Sequence, residues 1–536
     1  MKSVTCNYSK RAIRSSLSIV YLIVFLLGAM AAHAQTNLSG YWLLKVPNGD
    51  GTFRKTYLEL KQDGEAITGK LYSRGTDGTP VAGSFKGNQL HFATVVSVPP
   101  STPAAGATFT RRPMVYDGTF EQGKLLLQTT FSRTAVKGVA ERTTYEASLP
   151  PARLALPELH DVPDNGLSRT PPMGWNSWNK FAGRVDDVTI RKMADAVVAS
   201  GMSKAGYVYI NIDDTWEGAR DAKGNITTNT KFPDMKALAD YVHSKGLKIG
   251  IYSSPGPQTC AGYEGSYGHE EQDATTYAAW GIDYLKYDLC SARRIYKQTT
   301  EETRGLYQKM GDALAHTGRP IVYSLCEYGV GDVWKWGGDV SGNLWRTTGD
   351  IKDNWASMDR LGFAQLDIAS YSKPGHWNDP DMLEIGNGGM TADEYRTHMS
   401  LWSLLSAPLI AGNDVANMTD ETKSILMNTD VIAIDQDPLA KPVQTVSMND
   451  KSVVLLRPLQ NDSAAVGLFN RGDQPVAISF RWDSLHLRPV LGEKSLRAVD
   501  LWKHEPVTVE GYSYETTVPA HGVVLLKVSA VAGNQF

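Results

Sequence analysis

Between about residue 173 and residue 412 the chain repeats one pattern: a compact apolar run ending in polar side chains, then a stretch with helical periodicity. The compact runs are MGWNSW, GYVYINIDD, LKIGIYSS, YLKYD, IVYSLC, NLWRTTGD, HWNDPD and LLSAPLIAG, eight in about 245 residues. Between them, Ile190, Met193, Ala194, Val197 and Val198 form one helical face closed by Gly201. Met235, Leu238, Ala239 and Val242 form the next, closed by Gly246. Strands separated by helices run parallel, because each crossover returns the chain to the same edge. Eight such units predict a central (β/α)8 barrel of the TIM type over residues 167–440.

The flanks follow another rule. Residues 35–150 are short alternating runs such as GYWLLKV and AGSFKGNQLHFATVV, with hairpin turns expected at Asp63-Gly64 and Gly87-Asn88. They predict an all-β module, sandwich or barrel, of unassigned role. Residues 151–166 lie in a proline-rich stretch that suits a stiff linker. Strand periodicity returns over 441–536, in SVVLLRPL, SAAVGLFN and GVVLLKVS, and predicts an antiparallel β-sandwich.

Residues 1–34 carry Lys2, Lys10, Arg11 and Arg14, then the apolar run LSIVYLIVFLLGAM, then Ala32-His33-Ala34, the layout of a cleavable signal peptide. The expected destination is secreted or periplasmic. That apolar run is shorter than the ~20 residues of a comfortable membrane span, so no membrane span is expected. The formal net charge is −3, and loss of the basic leader makes it more negative, which argues against nucleic acid as a partner. With Cys6 in the leader, Cys260, Cys290 and Cys326 remain, enough for one bridge and one thiol.

In YLKYDLC, strand alternation puts Tyr284, Lys286 and Asp288 on one side and Leu285, Tyr287 and Leu289 on the other. A lysine and an aspartate in an apolar strand are either a structural ion pair or a functional site, and the stretch by itself leaves both open. Parallel barrels expose functional groups at the C-terminal ends of their strands. There the sequence places Asp213, Asp214, Lys286, Asp288, Glu327, Arg346, Asp350, Asp379 and Asp381, interleaved with Trp175, Trp178, Tyr252, Trp345 and Trp377. Carboxylates for hydroxyl groups and aromatic faces for a pyranose ring suit a sugar. The rival, a hard cation held by carboxylates, lacks its usual spacing: there is no EF-hand pattern, no HExxH and no zinc-type cysteine pair. No metal and no cofactor is expected.

The series MGWNSW, NIDDTW, GIYSSPGPQTCAG, YLKYDLC, LCEYG, WRTTGDI and HWNDPDML resembles glycoside hydrolase family 27, the α-galactosidase and α-N-acetylgalactosaminidase family, over roughly residues 167–530. The resemblance implies Asp288 as nucleophile and Asp350 as acid/base. It implies that Asp213 and Asp214 hold galactose hydroxyls, that Lys286 binds hydroxyls beside the nucleophile, and that Trp178 is the stacking wall. Tyr252, Glu327, Arg346 and Asp381 are expected to line the same pocket, and a Cys260–Cys290 disulfide is implied.

The implied activity is that of an exo-acting retaining α-galactosidase of a bacterial exported type, acting on terminal α-linked galactose of oligosaccharides or polysaccharides. An acid at Glu327 goes, in this family, with a free hydroxyl on carbon two, which favours galactose. The alternatives are a β-L-arabinopyranosidase on the same site and a non-catalytic carbohydrate-binding protein. Animal members carry a bridging cysteine where this chain has Thr215, so the loop there must be held otherwise.

Overall fold

The computed structural model describes residues 36–72, 78–98, 110–131, 134–482, 495–509 and 513–531. The expected leader lies outside the described residues.

The N-terminal unit comprises β1 (Gly40–Pro47), β2 (Phe53–Asp63), β3 (Ala66–Tyr72), β4 (Thr79–Lys86), β5 (Gln89–Val98), β6 (Thr110–Glu121), β7 (Lys124–Phe131) and β8 (Thr134–Thr143). Each strand pairs antiparallel with the next, and β1 pairs with β8, so the sheet closes into a barrel rather than a sandwich. Alternation sends Trp42, Leu44, Leu58, Leu60, Phe85, Leu90, Phe92, Leu125 and Leu127 to one interior core. Asp63 pairs with Ala66 and Lys86 with Gln89, leaving two-residue turns in which Gly64 and Gly87 adopt positive φ.

The central unit holds β9 (Met173–Asn176), β10 (Tyr209–Asn211), a side hairpin of β11 (Glu217–Arg220) and β12 (Ile226–Thr228), then β13 (Lys248–Ser253), β14 (Tyr284–Asp288), β15 (Val322–Cys326), β16 (Leu344–Arg346), β17 (Trp377–Asp379) and β18 (Leu409–Ala411). Hairpin aside, these are the eight apolar runs of the sequence. They form one all-parallel sheet in the order β17-β16-β15-β14-β13-β10-β9-β18, an arrangement that fits a parallel α/β barrel.

Side chains divide as the pleat requires. Tyr209, Tyr284, Val322, Leu344 and Trp377 form one cluster, whereas Leu285, Tyr287 and Leu289 join the larger core beneath the helices. A Cβ on Gly250 would come within 2.0 Å of the Asn211 Oδ1 in the paired strand, so only glycine fits there.

Helices begin and end on local signals. Asp186 caps Asp187–Ser200 by accepting from the Thr189 N–H, and Gly201 closes it at φ 88°. Its buried face is Ile190, Met193, Ala194 and Val197; Val198 turns away and is 38% exposed, one position past the stripe. Thr391 and Glu394 form a capping box at the start of Ala392–Leu405.

The C-terminal unit contains β19 (Gln444–Met448), β20 (Ser452–Leu459), β21 (Ser463–Asn470), β22 (Val476–Arg481), β23 (Ser495–Asp500), β24 (Glu505–Val507), β25 (Ser513–Val518) and β26 (Val523–Val531). A six-stranded sheet, β19-β20-β21-β26-β23-β24, and a two-stranded sheet, β22-β25, enclose Val454, Leu456, Val466, Leu468, Ile478, Phe480 and Trp482. The other face of β20 and β21 joins the central core through Val453, Leu455, Ala465 and Phe469. Residues between the first two units run along the central unit: Ala152 O and Leu154 O accept from the Tyr267 and Tyr296 hydroxyls, and Arg153 pairs with Glu302 at 2.9 Å.

Arg220 fixes the side hairpin to the helix Glu270–Trp280 through two bonds to Asp273, at 2.6 and 2.7 Å, and reaches Gly265 O at 2.7 Å. Asp273 is 1% exposed. Arg220→Met should therefore cost about 3–5 kcal/mol, because it strands a buried carboxylate. Thermal unfolding should show a clear fall in midpoint, and pairing the change with Asp273→Leu should restore most of it.

Candidate active site

The ends of β9, β10, β13, β14, β15, β16 and β17 and the loops that follow them surround a cavity of about 710 Å³. Trp178, Asp213, Asp214, Tyr252, Cys260, Lys286, Asp288, Arg346, Asp350 and Asp381 line it. Sequence reasoning named all of these.

Asp213 is the pivot of one wall. Its Oδ2 accepts from Asn176 Nδ2 at 2.9 Å and from Lys286 Nζ at 2.8 Å. Lys286 thus reaches across β13 to bond to the acid that follows β10, and acts on Asp288, its strand companion, through its charge. Burial works against the Lys286 ammonium, but Asp213 and Asp288 outweigh it and keep it charged. Asp214 Oδ2 accepts from the Ala261 N–H at 2.7 Å, while Oδ1 is buried without a protein partner. Desolvation pushes the Asp214 carboxyl up to about 7, so near neutrality it is able both to donate and to accept.

Asp288 ends β14 and is 5% exposed. Desolvation raises its pKa, against the opposing pull of Lys286 and of hydrogen bonds from Tyr328 and Tyr252. The Tyr328 hydroxyl donates to Asp288 Oδ1 at 2.7 Å. On the other wall, Arg346 Nη2 lies 2.9 Å from Asp381 Oδ2 and 3.2 Å from Asp350 Oδ1. Arg346 is 3% exposed, but the Asp350 side chain is 72% exposed, at the mouth. Asp381 also accepts from the Ile351 and Met382 N–H groups, each at 2.8 Å.

Four non-glycine residues around the site hold positive φ: Ala182 at 46°, Thr215 at 88°, Tyr328 at 64° and Asp381 at 99°. Such conformations persist only where surrounding contacts over-determine them, and they gather at functional sites. Cys260 and Cys290 are joined in a disulfide with Cα atoms 5.0 Å apart, tying the loop after β13 to the loop after β14. Among the described residues, Cys260, Asp288 and Cys290 are the one grouping of metal-ligand types, and its sulfurs are spent in that bridge. Cys326 is a buried thiol whose pKa burial drives well up, which makes it inert.

Other expectations need correction. Glu327 is fully buried and is not among the residues that line the cavity, its Oε2 without a protein partner and its carboxyl pushed well above the usual range by desolvation. Trp175, Trp345 and Trp377 are core residues, each at most 2% exposed, not platforms. Trp175 and Trp345 belong to the core beneath the helices, and Trp377 to the smaller cluster with Tyr209 and Tyr284. The aromatic surface is Trp178, Tyr252 and Tyr328. Tyr328 and Asn176 were missed, since both lie inside quoted motifs without a charge to mark them.

A cavity lined by carboxylates and aromatic faces is of the kind that takes a sugar, and similarity to known proteins puts the chain in the class of glycoside hydrolases. The family profile described as "Alpha galactosidase A" matches residues 170–437, and that of the "Alpha galactosidase C-terminal beta sandwich domain" matches 449–528. Alpha-galactosidase 3 of Arabidopsis thaliana is 48% identical over 365 residues, covering 67% of this chain and 81% of the relative. Alpha-galactosidase A of Cellvibrio japonicus is 45% identical over 385 residues, covering 68% and 93%. The crystal structure of alpha-galactosidase I from Mortierella vinacea is similar with a TM-score of 0.66 and 38% identity, over 69% of this chain and all of that one. The chain belongs to the alpha galactosidase A, or melibiase, family.

A hydrogen bond to a charged group contributes about 1.5–3 kcal/mol, and 1.36 kcal/mol is one pKa unit. Tyr328→Phe removes a bond that favours ionised Asp288, so the Asp288 pKa should rise. The acid limb of the kcat/KM profile is then expected to move up by about one pH unit. An unmoved limb would mean that this bond does not govern the ionisation.

Proposed function

We propose that the chain acts as an exo-acting, retaining α-galactosidase, with Asp288 as nucleophile and Asp350 as acid/base. It is a glycoside hydrolase. The observation that carries the reading is that the two carboxyl groups line one cavity in contrasting settings, one buried beside Lys286 and one open at the mouth. A buried carboxylate in the field of a lysine suits attack on the anomeric carbon, and an exposed one suits exchange of protons with the leaving group and water.

In the first step an Asp288 oxygen bonds to the anomeric carbon as the glycosidic oxygen departs with the Asp350 proton. In the second, water gives its proton to Asp350, its oxygen bonds to the same carbon, and Asp288 is released. Two inversions return the α configuration. The unpartnered Asp214 Oδ1, with Asp213 and Lys286, would receive galactose hydroxyls, and Trp178 would cover the apolar face of the ring.

The Leu383–Ala411 bridge brings the segment after β17 against β18, which supports closure of the eight strands as a (β/α)8 barrel. The basic, then apolar leader and the disulfide support an exported protein that works in an oxidising compartment.

With an aryl α-galactoside, Asp288→Asn should lower kcat by about four orders of magnitude or more. Proton NMR of the wild-type reaction should show α-galactose first. Near-normal turnover in the variant, or a β-anomer released first, contradicts the reading; faster cleavage of the matching β-L-arabinopyranoside would reassign the sugar.

A further inference from the structure

The loop that carries Cys260 is anchored from the N-terminal barrel. Asp50 lies in the β1–β2 connection, yet it is 2% exposed, because it is pressed into the central unit. Its Oδ1 accepts from the Thr52 N–H at 3.0 Å, and its Oδ2 accepts from the Tyr263 hydroxyl at 2.7 Å. The same Oδ2 is 3.7 Å from Lys231 Nζ, and the Asp50 carbonyl accepts from the Thr230 N–H at 3.0 Å. Burial pushes the Asp50 carboxyl up, but the hydrogen bonds from Thr52 and Tyr263 outweigh it and hold it below its ordinary value.

Two partners of Asp50, Tyr263 and Lys231, lead to the cavity. Tyr263 closes a tight loop: its carbonyl accepts from the Thr259 N–H at 2.9 Å, and its N–H donates to Thr259 Oγ1 at 3.0 Å. Within that loop are Cys260, bridged to the loop after Asp288, and Ala261, whose N–H holds Asp214. On the other side, Lys231 Nζ donates to Thr215 Oγ1 at 2.9 Å and to Gly183 O at 3.0 Å. Asn229 Nδ2 donates to Thr215 O at 2.8 Å and lies 3.4 Å from Asp50 Oδ2. Thr215 follows Asp214 directly and sits at φ 88°, a conformation that needs such external support. These contacts occupy the place where the family resemblance had left the Thr215 loop without its second bridge.

We propose that Asp50 is a positioning residue: through Tyr263 and Lys231 it sets both loops that orient Asp214, so that the N-terminal barrel is a structural part of the galactose pocket. The inference rests on the reading of Asp214 as a hydroxyl-binding group. An acceptor displaced by a fraction of an ångström binds ground state and transition state worse by similar factors, so the loss falls on KM more than on kcat.

The test uses the full-length protein and an aryl α-galactoside. Asp50→Ala should raise KM about tenfold with kcat within about threefold, and Tyr263→Phe about fivefold. Because the two act as one unit, the double variant should be no worse than Asp50→Ala alone. Asp50→Asn keeps an acceptor for Tyr263 and should restore most of the KM, whereas Glu121→Ala, exposed on the same barrel, should change nothing. Should Asp50→Ala fail to fold, Tyr263→Phe with Asp50→Asn carries the test. A lowered thermal midpoint with unchanged KM, or losses that multiply in the double variant, overturns the proposal. Asp214→Asn, measured alongside, tests the pocket reading on its own: a silent Asp214→Asn sinks that reading, while the anchor stands or falls on the other variants.

Discussion

Two largely buried cations make the pocket possible. Lys286 against Asp213 and Arg346 against Asp381 each place a charge where an unpaired one would cost several kcal/mol. Each cation touches one acid closely and a second through its field or a longer bond: Asp288 for Lys286, Asp350 for Arg346. Desolvation raises the acids around them, Asp288 and Asp381 against the pull of their cations, Asp214 to about 7, Asp379 to about 6 and Glu384 to about 7. The result is a set of carboxyl groups in differing settings around one pocket, with Asp214 and Glu384 poised to share a proton near neutrality. Hydroxyl groups, which both donate and accept, fit such a set.

The scaffold makes that density of charge tolerable. Inward positions of each strand are split along its length, apolar below and polar at the C-terminal end, as in Tyr284, then Lys286, then Asp288. Packing of β-strand interior and helices supplies the stability, and the ends carry the strained and charged elements. The disulfide, the Thr259–Tyr263 loop and the hairpin β11–β12 brace those ends from outside, and the N-terminal barrel joins the same brace through Asp50.

Eight strand segments and the two flanking β regions were legible in the sequence, because periodicity and crossover logic depend on local pattern. Closure of the N-terminal sheet was not, since a sandwich and a barrel share the same alternation and differ only in the pairing of β1 with β8. Strand-end acids identified the pocket, but side-chain identity did not tell which aromatic faces it: Trp175 and Trp178 are three residues apart, and only Trp178, at the start of a short helix, reaches the cavity. Glu327 had the right residue type one position past its strand, yet the turn at Tyr328 sends the tyrosine forward and leaves the glutamate buried. Asp50 carried no signal, because its partners in the central unit lie about 180 residues or more further along the chain.

The division of labour between Asp288 and Asp350 is tested most directly by chemical rescue with azide in two glycine variants. Removing Asp288 opens its side of the anomeric carbon, so azide should displace the leaving group once and give the β-galactosyl azide. Removing Asp350 leaves the covalent step with an activated substrate, so azide should intercept the intermediate and give the α-galactosyl azide. Opposite anomers from the two variants support the assignment; the same anomer from both, or the reverse pairing, contradicts it.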